Sequence, residues 1–556
     1  GLETDRKLVY IKAIKEIGIM VYDNEIHDAS EEISKDNIAL RVMNLANDTK
    51  ISQDNSLLGD PTETAMVQYG LDKNYDVREE LVNIPRIAEV PFDSTRKLMT
   101  TIHQLEDGKY LVATKGAPDM LLDRVTKIEK HGEVSAFTED DRTTLMKLNK
   151  EMATQALRVL AMAYKVIDTL PETVDTDSIE HDLIFAGLVG MIDPERKEAA
   201  AAIKVAQSAG IRTIMITGDH RDTAQAIAKR LGILRPDQED GVLTGGELND
   251  ISDEELERTV ETYSVYARVS PEHKVRIVKA WQKNGKVVSM TGDGVNDAPS
   301  LKQADIGVGM GITGTEVSKG ASDMVLADDN FETIVVAVEE GRKVFANIQK
   351  AVQYLLSANF GEVMTMFVAT MAGWSILEPI HILWINLVTD VFPAIALGLE
   401  EAEADIMNHP PRGKGSNFLS NGVLPSIFYQ GFFEGGITLF VFWYATHIAN
   451  WGNPVGETMA FATLGLIQLF HAFNVKSVYK SLGTVGAFKN KMFNYAILVS
   501  AVMLLSVMVI PGLTTVFDVA ILTAEQWLFV VGAAFSIVPI VEIAKAIMRA
   551  MGMDKD

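Results

Sequence analysis

The apolar and polar positions divide the chain into two halves. Up to about residue 340, short apolar runs alternate with charged stretches, which is typical of soluble, globular regions. Beyond that point the apolar residues come in blocks of about 20, the length that a helix needs to cross the hydrocarbon core of a membrane. The pattern predicts six spans, at about residues 352–374, 379–398, 425–447, 458–474, 492–513 and 526–547.

The lysines and arginines of the second half alternate from loop to loop. They lie before the first span, between the second and third, between the fourth and fifth, and after the sixth. The loops near 375–378, 448–457 and 514–525 contain none. Because positively charged loops stay in the cytoplasm, we expect the soluble half and the C-terminus on the cytoplasmic side. Six buried helices of a soluble protein would not produce this alternation.

Within the soluble half, residues 183–350 alternate short strands with helices, which predicts a parallel sheet. One strand, Ile211–Ile216, ends in Thr217, Gly218 and Asp219. Another, Lys286–Met290, leads into the segment from Thr291 to Asp297. A third, Leu188–Ile192, leads into Asp193–Arg196. Ligands of such sheets gather at the carboxyl ends of the strands.

The residues at these strand ends point to phosphoryl chemistry. Carboxylates beside hydroxyls and small residues suit magnesium and a phosphoryl group. Asp293 and Asp297 are the candidate carboxylates, and Lys274 supplies the positive charge that a transferring phosphoryl group requires. A single Thr-Gly-Asp is common turn chemistry, whereas two copies with Thr291–Pro299 form a specific signal.

Residues 1 to about 180 are predicted to form a separate α+β region. Phe92 offers an aromatic face for a base, and Lys97 and Lys115 offer charges for phosphates, so a nucleotide pocket is one interpretation. A core phenylalanine with two solvated lysines is the other. The sequence has no Gly-x-x-x-x-Gly-Lys-Ser/Thr loop, which disfavours a P-loop ATPase.

Composition excludes several classes of protein. The formal net charge of −24 argues against a nucleic-acid surface, which needs a basic face. The chain contains no cysteine, so disulfides and thiolate metal sites are excluded, and a pump for soft metals is disfavoured.

Polar residues inside the predicted spans point to an ion pathway. Carboxylates in a membrane are costly and usually functional. Glu362 lies one helical turn from Asn359, and Asp390 lies near Asn386 and Thr389. Oxygen ligands of this kind suit a hard cation such as calcium, although a structural salt bridge is the alternative. Pro393 predicts a helix that opens locally around the cation.

Three further polar residues lie in the predicted spans. Gln468 is either a cation ligand or a helix-to-helix contact. His471 and Glu434 are interpreted as structural.

Together these residues resemble the P-type cation ATPases, in particular the bacterial type of the calcium-pump branch, over nearly the whole chain. The matching motifs are GDPTETA (59–65), FDSTRK (92–97), KGA (115–117), ALRVLA (156–161), DPER (193–196), TGD (217–219) and TGDGVNDAP (291–299). The resemblance implies a multidomain α/β protein with membrane helices. Its parts would be an α+β nucleotide-binding domain (1–182), an incomplete Rossmann-like phosphorylation domain of the haloacid-dehalogenase type (183–340) and six transmembrane helices (341–556).

The resemblance also implies roles for individual residues. Magnesium would bind Asp293, and the phosphorylation site would include Lys274, Asp297, Thr217, Gly218 and Asp219. The residues expected at ATP are Glu63, Phe92, Lys97, Lys115, Gly116, Arg158, Arg268 and Asn296. The transported cation would meet Asn359, Glu362, Asn386, Thr389, Asp390 and Gln468.

Two departures from the family pattern matter. A nucleotide-contacting arginine of calcium pumps falls at Ser94, so its role would pass to Arg96 or be absent. Gln468 stands where two-site calcium pumps have glutamate, which implies that one of two sites is weakened or lost. Asn386, where sodium–potassium pumps have aspartate, favours calcium.

The family's phosphate acceptor lies in Asp-Lys-Thr-Gly-Thr, and these 556 residues contain no such segment. The actuator domain and the first four membrane helices are not matched either. We therefore expect the chain to work with the upstream part of the same pump, which would supply the acceptor and the first strand of the phosphorylation domain.

The expected function is ATP-driven calcium transport with magnesium as cofactor, an aspartyl-phosphate intermediate and proton countertransport. The protein would reside in a bacterial cell membrane. The alternatives are a sodium or manganese pump, and a non-catalytic membrane scaffold that binds nucleotide.

Overall fold

The computed structural model of the protein describes residues 16–155, 157–192, 197–218, 221–413 and 415–555. The chain forms two units, one made of residues up to Lys204 together with Arg212–Phe331, and one made of Val205–Ile211 together with Glu332–Asp556. The main division, between Phe331 and Glu332, lies about nine residues before position 340, near which the hydropathy of the sequence changes.

The N-terminal part of the first unit is built on strands that pair antiparallel, except for the parallel pair of β8 and β11. They are β1 (Glu16–Tyr22), β2 (Glu25–Asp28), β3 (Lys50–Ile51), β4 (Leu57–Leu58), β5 (Arg86–Val90), β6 (Leu98–Gln104), β7 (Tyr110–Gly116), β8 (Val125–Lys130), β9 (Glu133–Ala136), β10 (Arg158–Ile167) and β11 (Leu183–Ile192). Nine of them form one sheet in the order β2-β1-β11-β10-β7-β6-β5, with β8 and β9 attached at β11. A small β3–β4 pair stands apart.

Helices cover both faces of this sheet. They are α1 (Ile38–Leu45), α2 (Pro61–Asp72), α3 (Val77–Asn83), α4 (Pro118–Leu122), α5 (Glu139–Thr154) and α6 (Thr176–Ile179). Successive residues of a strand point to opposite faces, so Met20 and Val21 enter two different apolar cores. Side chains of Asn37, Asp60 and Thr138 cap α1, α2 and α5 and set where these helices begin.

The rest of the first unit alternates strands and helices. Its strands are β12 (Met215–Ile216), β13 (Val242–Thr244), β14 (Val265–Ala267), β15 (Ser289–Gly292), β16 (Ile306–Met310) and β17 (Met324–Leu326). Its helices are α7 (Lys197–Ser208), whose last residues belong to the second unit, α8 (Arg221–Leu231), α9 (Gly245–Asn249), α10 (Asp253–Thr259), α11 (Pro271–Lys283), α12 (Ala298–Gln303) and α13 (Glu316–Gly320). Short 3-10 turns occur at Val260–Thr262 and Val295–Asp297.

The predicted parallel arrangement is confirmed, but it consists of two three-stranded sheets, β12-β14-β13 and β15-β16-β17. The prediction that Leu188–Ile192 belongs to this parallel arrangement is wrong. Those residues lie in β11, which pairs antiparallel with β1 and β10 in the nine-stranded sheet. A continuous apolar run looks the same in either sheet, and only the pairing partners decide. The boundaries at 182/183 and 340/341 remain a prediction.

The second unit is helical. Its helices are α14 (Phe331–Ala372), α15 (Pro379–Leu397), α16 (Val423–Trp443), α17 (Asn453–Asn474), α18 (Leu482–Val485), α19 (Lys491–Val509), α20 (Leu513–Val516), α21 (Ala524–Phe535) and α22 (Ile537–Ala550). A π-helical turn, Tyr444–Ile448, extends α16, and 3-10 turns occur at Ile406–Asn408 and Met553–Lys555.

Within the described residues, four stretches are long and apolar enough to cross a membrane: α14, α15, α19, and α21 with α22. The other two predicted spans are helices of 21 and 22 residues, α16 and α17, that fall short in apolar character. The count of six membrane helices therefore remains a prediction.

The burial of α17 accounts for its polar composition. Sixteen of its 22 residues are buried, and it packs against α15, α16, α19, α21 and α22. Gly465 permits one of these contacts, because a Cβ there would lie 2.5 Å from Leu504. A helix enclosed by other helices does not need an apolar surface all round.

The prediction that α15 opens locally at Pro393 is wrong. The helix is continuous from Pro379 to Leu397 with Pro393 inside it. Proline removes the backbone donor to the carbonyl four residues earlier, which is that of Thr389. The Tyr354 hydroxyl donates to this oxygen at 2.8 Å, so a side chain replaces the lost bond.

Candidate functional site

Glu63 and Lys115 form a buried ion pair in the first unit. Glu63 lies in the first turn of α2, and Lys115 lies near the end of β7. Lys115 Nζ donates to Glu63 Oε1 at 2.8 Å, while Glu63 Oε2 accepts the Asp48 backbone N–H at 3.1 Å. Burial lowers the pKa of the Lys115 ammonium, and the Glu63 carboxylate opposes this shift. The structure thus brings together two of the residues expected at the nucleotide.

The remaining residues expected at the nucleotide in this region are more accessible. Phe92 is 63% exposed, which suits a ring that stacks on a base better than a core position. Lys97 and Arg158 are also exposed. Gly116 follows Lys115 at a close contact, since a Cβ there would lie 2.3 Å from the Lys97 carbonyl oxygen. The glycine therefore allows the backbone at Lys97, just before β6, to lie against the end of β7 beside Lys115.

Arg96 is engaged elsewhere in the structure. It donates to both carboxylate oxygens of Glu180, at 2.8 and 2.9 Å, and to the Pro91 carbonyl at 2.8 Å. Glu180 is 1% exposed, and breaking such a pair leaves an uncompensated buried charge. Of the two outcomes expected for the arginine missing at Ser94, the structure favours its absence over transfer of its role to Arg96.

Lys274 and Asp297 define the candidate phosphorylation site. Lys274 lies in the first turns of α11, whose N-terminus is capped by Ser270, and its Nζ donates to Asp297 Oδ1 at 2.6 Å. Asp297 Oδ2 accepts the backbone N–H groups of Asp293 and Gly294 at 3.1 and 3.0 Å. Burial raises the pKa of the Asp297 carboxyl, but Lys274 and the two N–H groups outweigh it and hold that pKa below its ordinary value.

Asp293 presents an exposed carboxylate beside this pair. Its backbone carbonyl accepts the Thr315 N–H at 2.9 Å and the Ser318 hydroxyl at 3.2 Å, so the loop is held from both sides. An exposed carboxylate on a fixed loop fits a magnesium ion, which keeps most of its waters and takes one or two carboxylates.

The other residues predicted at this site lie at the neighbouring strand ends. Thr217 directly follows β12, and its N–H donates to the Tyr266 carbonyl at 2.9 Å. Gly218, Arg268 and Asn296 are exposed. Asp219 and the Asp193–Arg196 segment lie outside the described residues.

The two strands that carry Thr-Gly-Asp are both sheet edges. Among the described residues, β12 pairs only with β14, and β15 pairs only with β16. Ile216 of β12 nevertheless packs into the apolar cluster that contains Met290 of β15. Each strand thus keeps one edge of backbone N–H and C=O groups that no described strand satisfies.

In the second unit, Glu362 is the centre of the predicted cation cluster. The residue is 6% exposed, and Gln468 Nε2 donates to its Oε1 at 2.9 Å. With its amide oriented to suit its neighbours, Asn386 donates to both carboxylate oxygens, at 2.7 and 3.0 Å. The carboxylate of α14 is therefore held by amides from α15 and α17.

Thr389 and Asp390 extend the cluster along α15. Thr389 Oγ1 lies 2.9 Å from Gln468 Oε1 and 3.5 Å from Asp390 Oδ1. Gln468 thus links Thr389 to Glu362, which is the helix-to-helix contact considered from the sequence. The same amide oxygen would face a cation if the side chain rotated, so its role as a ligand remains a prediction.

One predicted ligand lies apart, and one participant was missed. Asn359 is exposed and has no side-chain hydrogen bond to a described residue of the cluster. Tyr354, fully buried on α14, was missed, although its hydroxyl bonds the Thr389 carbonyl. Pro393 was the available signal, because the carbonyl that a proline frees needs a donor.

The two sites together define a class of protein. A parallel-strand edge with paired Lys274 and Asp297 suits phosphoryl chemistry, and a carboxylate cluster among apolar helices suits a cation. Residues 37–198 match the family described as "P-type ATPase, cytoplasmic domain N", and residues 374–547 match the family described as "Cation transporting ATPase, C-terminus". The chain belongs to the P-type cation-transporting ATPases.

Comparison with individual curated proteins is more specific than comparison with the family models. The chain is 44% identical to Calcium-transporting ATPase 1 of Bacillus cereus over 94% of its own length and 60% of the relative's. It is 43% identical to the Calcium-transporting ATPase of Bacillus subtilis over 85% of the chain and 53% of the relative. It is 42% identical to Calcium-transporting ATPase 1 of Lactococcus lactis over 94% and 58%. The chain thus spans about 60% or less of the length of these relatives.

Proposed function

We propose that this chain provides the nucleotide-binding, phosphorylation and ion-binding parts of an ATP-driven calcium pump. Calcium would cross the membrane through an aspartyl-phosphate intermediate, with protons carried in the opposite direction. ATP and magnesium are the cofactors, with magnesium at Asp293. Glu362, Asn386, Thr389 and Asp390 would bind the cation, with Gln468 and Asn359 joining after rearrangement.

The observation that carries this proposal is the bonding of Glu362. Its carboxylate is buried among apolar helices, yet its donors are the neutral amides of Gln468 and Asn386. A buried negative charge without a cationic partner is costly, and a bound cation would offset that cost. Rotation of the two amides would turn their oxygens toward the same ion. Carboxylate, amide and hydroxyl oxygens are the ligands that calcium prefers.

We further propose that the acceptor aspartate arrives on a strand from sequence upstream in the same pump. The support is the pair of unsatisfied edges on β12 and β15, the two strands that carry Thr-Gly-Asp. A parallel strand between them would satisfy both edges and place its carboxyl end beside Lys274 and Asp297. The soluble unit and the C-terminus would face the cytoplasm of a bacterial cell.

The deciding experiment is an ATPase assay of the complete gene product, titrated separately with calcium, sodium and manganese. Activation by micromolar calcium is the expected result. Activity that ignores calcium and follows sodium or manganese would replace the proposal with a pump for that ion. Nucleotide binding without any cation-dependent hydrolysis would favour the non-catalytic scaffold.

The acceptor proposal has its own test. Radiolabelled ATP should leave an acid-stable, hydroxylamine-sensitive phosphate on an aspartate outside these 556 residues, located by mass spectrometry of peptides. A label on an aspartate within the chain, such as Asp293, would refute the proposed strand.

A further inference from the structure

Glu434 on α16 is a carboxylate without a partner. The residue is 0% exposed, and neither carboxylate oxygen has a hydrogen-bond donor among the residues that the structure describes. Almost all buried polar groups in folded proteins are satisfied, so two orphaned oxygens on one side chain indicate a missing ligand. The sequence alone identifies Glu434 as a structural residue, and the structure shows no contact that such a role requires.

Glycines bring this carboxylate against α14. A Cβ on Gly361 would lie 3.1 Å from Glu434 Oε2 and 3.1 Å from its Cβ, so only glycine leaves room for the side chain. Gly431 and Gly435 on α16 have similarly close contacts, since a Cβ on each would lie 2.9 and 3.0 Å from the carbonyl oxygens of Ser357 and Gly361. The carboxylate is therefore enclosed between α14 and α16.

His471 of α17 is the only basic side chain within 4 Å of the Glu434 carboxylate in the described part of the chain. Its Nε2 lies 3.8 Å from Glu434 Oε1, which is too long for a hydrogen bond. Ser357 Oγ lies closer to this nitrogen, at 3.1 Å. Any salt bridge to Glu434 would require a second proton on the imidazole ring.

The surroundings of His471 identify it as neutral. Asn474 Nδ2 donates to the Ile537 carbonyl at 3.4 Å, which sets the orientation of the amide, and the same nitrogen lies 3.3 Å from His471 Nδ1. Nδ1 is therefore the acceptor and Nε2 carries the hydrogen. Ser357 donates its own hydrogen to the Gln353 carbonyl at 2.6 Å, so its oxygen accepts from Nε2. A neutral histidine cannot serve as the counter-ion of Glu434.

The other charged groups around the pair have partners of their own. Glu362 on α14 is bonded by two amides, and its negative charge opposes an ionised Glu434. Lys545 on α22 donates to the Asn474 carbonyl at 2.6 Å and pairs with Glu542 at 3.7 Å, so its charge is engaged away from Glu434. The packed helices carry further titratable residues, and none of them is a hydrogen-bond or ion-pair partner of Glu434 among the described residues. They are the charged residues of α14 at positions 332–343, Lys350 and Tyr354 on α14, His381 and Asp390 on α15, Tyr429 on α16, Glu457 on α17, Lys491 and Tyr495 on α19, Glu525 on α21 and Arg549 on α22.

A metal ion does not fit this position. Calcium takes six to eight oxygen ligands, and transition metals take about four protein ligands or waters. No group of three or more histidine and carboxylate side chains that suits a metal occurs among the described residues. A proton is the one cation that a single carboxylate can hold. The contacts of the pair, Gly361, Ser357 and Asn474, are also not among the proposed cation ligands.

We propose that Glu434 binds a proton and, as a neutral acid beside His471, forms a proton-binding site of the membrane unit that is separate from the proposed cation ligands. The proton binds to one oxygen of the Glu434 carboxylate and forms an O–H bond, and no bond of the protein is broken. The site supplies a place for the countertransported proton, and this use of it rests on the proposed function. The protonation of Glu434 does not depend on the proposed function.

Infrared difference spectroscopy of the complete gene product in lipid nanodiscs, without calcium, tests the proposal. The difference between wild type and Glu434→Gln should contain the carbonyl-stretch band of a protonated carboxyl group, with a downshift in deuterated water. Glu434→Asp should shift this band while keeping it. Glu525→Gln, which alters an exposed carboxylate at the start of α21, should leave it unchanged. A difference spectrum with only ionised carboxylate bands would overturn the proposal.

Calcium binding separates a proton site from a cation ligand. Glu434→Gln should keep calcium affinity within about threefold of wild type, since it removes no ligand. A loss of about a hundredfold or more would overturn the proposal, because Glu434 would then hold the cation itself. If the wild-type protein showed no response to calcium, the proposed function would fail, while the infrared band would still decide the proton site.

Discussion

Asp297 and Glu362 are two buried carboxylates in two different settings. Their exposures are nearly equal, 7% and 6%, and N–H donors bond both oxygens of each. Asp297 faces the ammonium group of Lys274 at 2.6 Å and two backbone N–H groups. Glu362 faces only the side-chain amides of Gln468 and Asn386. The two carboxylates therefore have similar burial and hydrogen bonding, but only the charge of Asp297 is balanced by a neighbouring cation.

This difference assigns different tasks to the two sites. At the strand ends, the internal ion pair gives a fixed arrangement that needs no further cation to be stable, and it can orient a phosphoryl group and magnesium. Among the membrane helices, the donors hold the carboxylate in place without neutralising it. Under the proposed function, an ion that enters from outside the fold would neutralise this charge.

The largest expected effect comes from breaking the ion pair at the strand ends. Lys274→Met removes the positive charge that faces the phosphoryl group and leaves Asp297 with its backbone donors only. Phosphorylation from ATP should fall about 1,000-fold, as when one preorganised electrostatic contact is lost from an active site. Rapid-quench measurement of the phosphoenzyme would check it.

Lys279→Met is the matched control, because Lys279 is an exposed residue of the same helix. It should retain phosphorylation within about twofold of wild type, since surface substitutions cost little. Equal loss in both variants would mean that α11 tolerates no substitution, and that Lys274 has no particular role.

The second prediction concerns the carboxylates among the membrane helices, which have no cationic partner among the described residues. Asp390→Asn, or Glu362→Gln, should weaken calcium-dependent phosphorylation by about a hundredfold or more, because each would remove one of the two carboxylates proposed to bind the ion. Phosphorylation by inorganic phosphate needs no calcium and should persist. If calcium dependence survived in either variant, that residue would not be a ligand.

A smaller effect is expected at the Glu63–Lys115 pair. Lys115→Met preserves length but removes the charge, so ATP affinity should fall about tenfold through loss of one charge-assisted contact. Equilibrium binding of a fluorescent nucleotide measures this. Lys109→Met, in the exposed turn before β7, is the control and should bind as wild type does. Unchanged affinity for Lys115→Met would show that the ion pair is purely structural.

The last prediction concerns the pH dependence of stability in the first unit, and it rests on the buried imidazole of His103 on β6. Burial lowers the pKa of its imidazole to about 4. The unfolded chain takes up the proton near pH 6.5, so stability is lost as pH falls from 6.5 to 4 and changes no further below that. The loss should be about 3 kcal/mol, since each unit of difference in pKa between the folded and unfolded states corresponds to about 1.4 kcal/mol.

Hydrogen exchange of the β6 and β7 amides, compared between wild type and His103→Gln at each pH, measures this loss. The variant has no titrating ring and should show a flatter dependence. An identical slope in both proteins would assign the acid sensitivity to other groups.

Several expectations from the sequence depended on local pattern and are confirmed. The parallel pairing of the strands after residue 211 follows the predicted alternation, although it is divided between two sheets. Apolar blocks mark the four spans that are long and apolar enough for a membrane. Patterns of this kind depend only on residues that are close in sequence, and they indicate which face of a helix or strand is buried.

Other expectations failed because they depended on partners distant in the chain. The apolar run Leu188–Ile192 has no feature that distinguishes a parallel from an antiparallel neighbour, and its partners lie at β1 and β10. For Arg96 the sequence left two outcomes open, and the bond from Arg96 to Glu180, 84 positions away, favours the outcome in which Arg96 does not contact the nucleotide. Pro393 correctly predicts that a backbone hydrogen bond of α15 is lost. It does not predict that the Tyr354 hydroxyl donates to the freed Thr389 carbonyl.

The sequence by itself determined the family and the apolar blocks of the second unit, and it supplied the candidate residues of both sites, because motifs and hydropathy are local. Only the tertiary structure decided how each charge is compensated: Asp297 by Lys274, Glu362 by neutral amides, and Glu434 by no described side chain. The physical reason is that the free energy of a buried carboxylate depends on donors and cations within a few ångströms. Those neighbours come from helices and strands far apart in the chain.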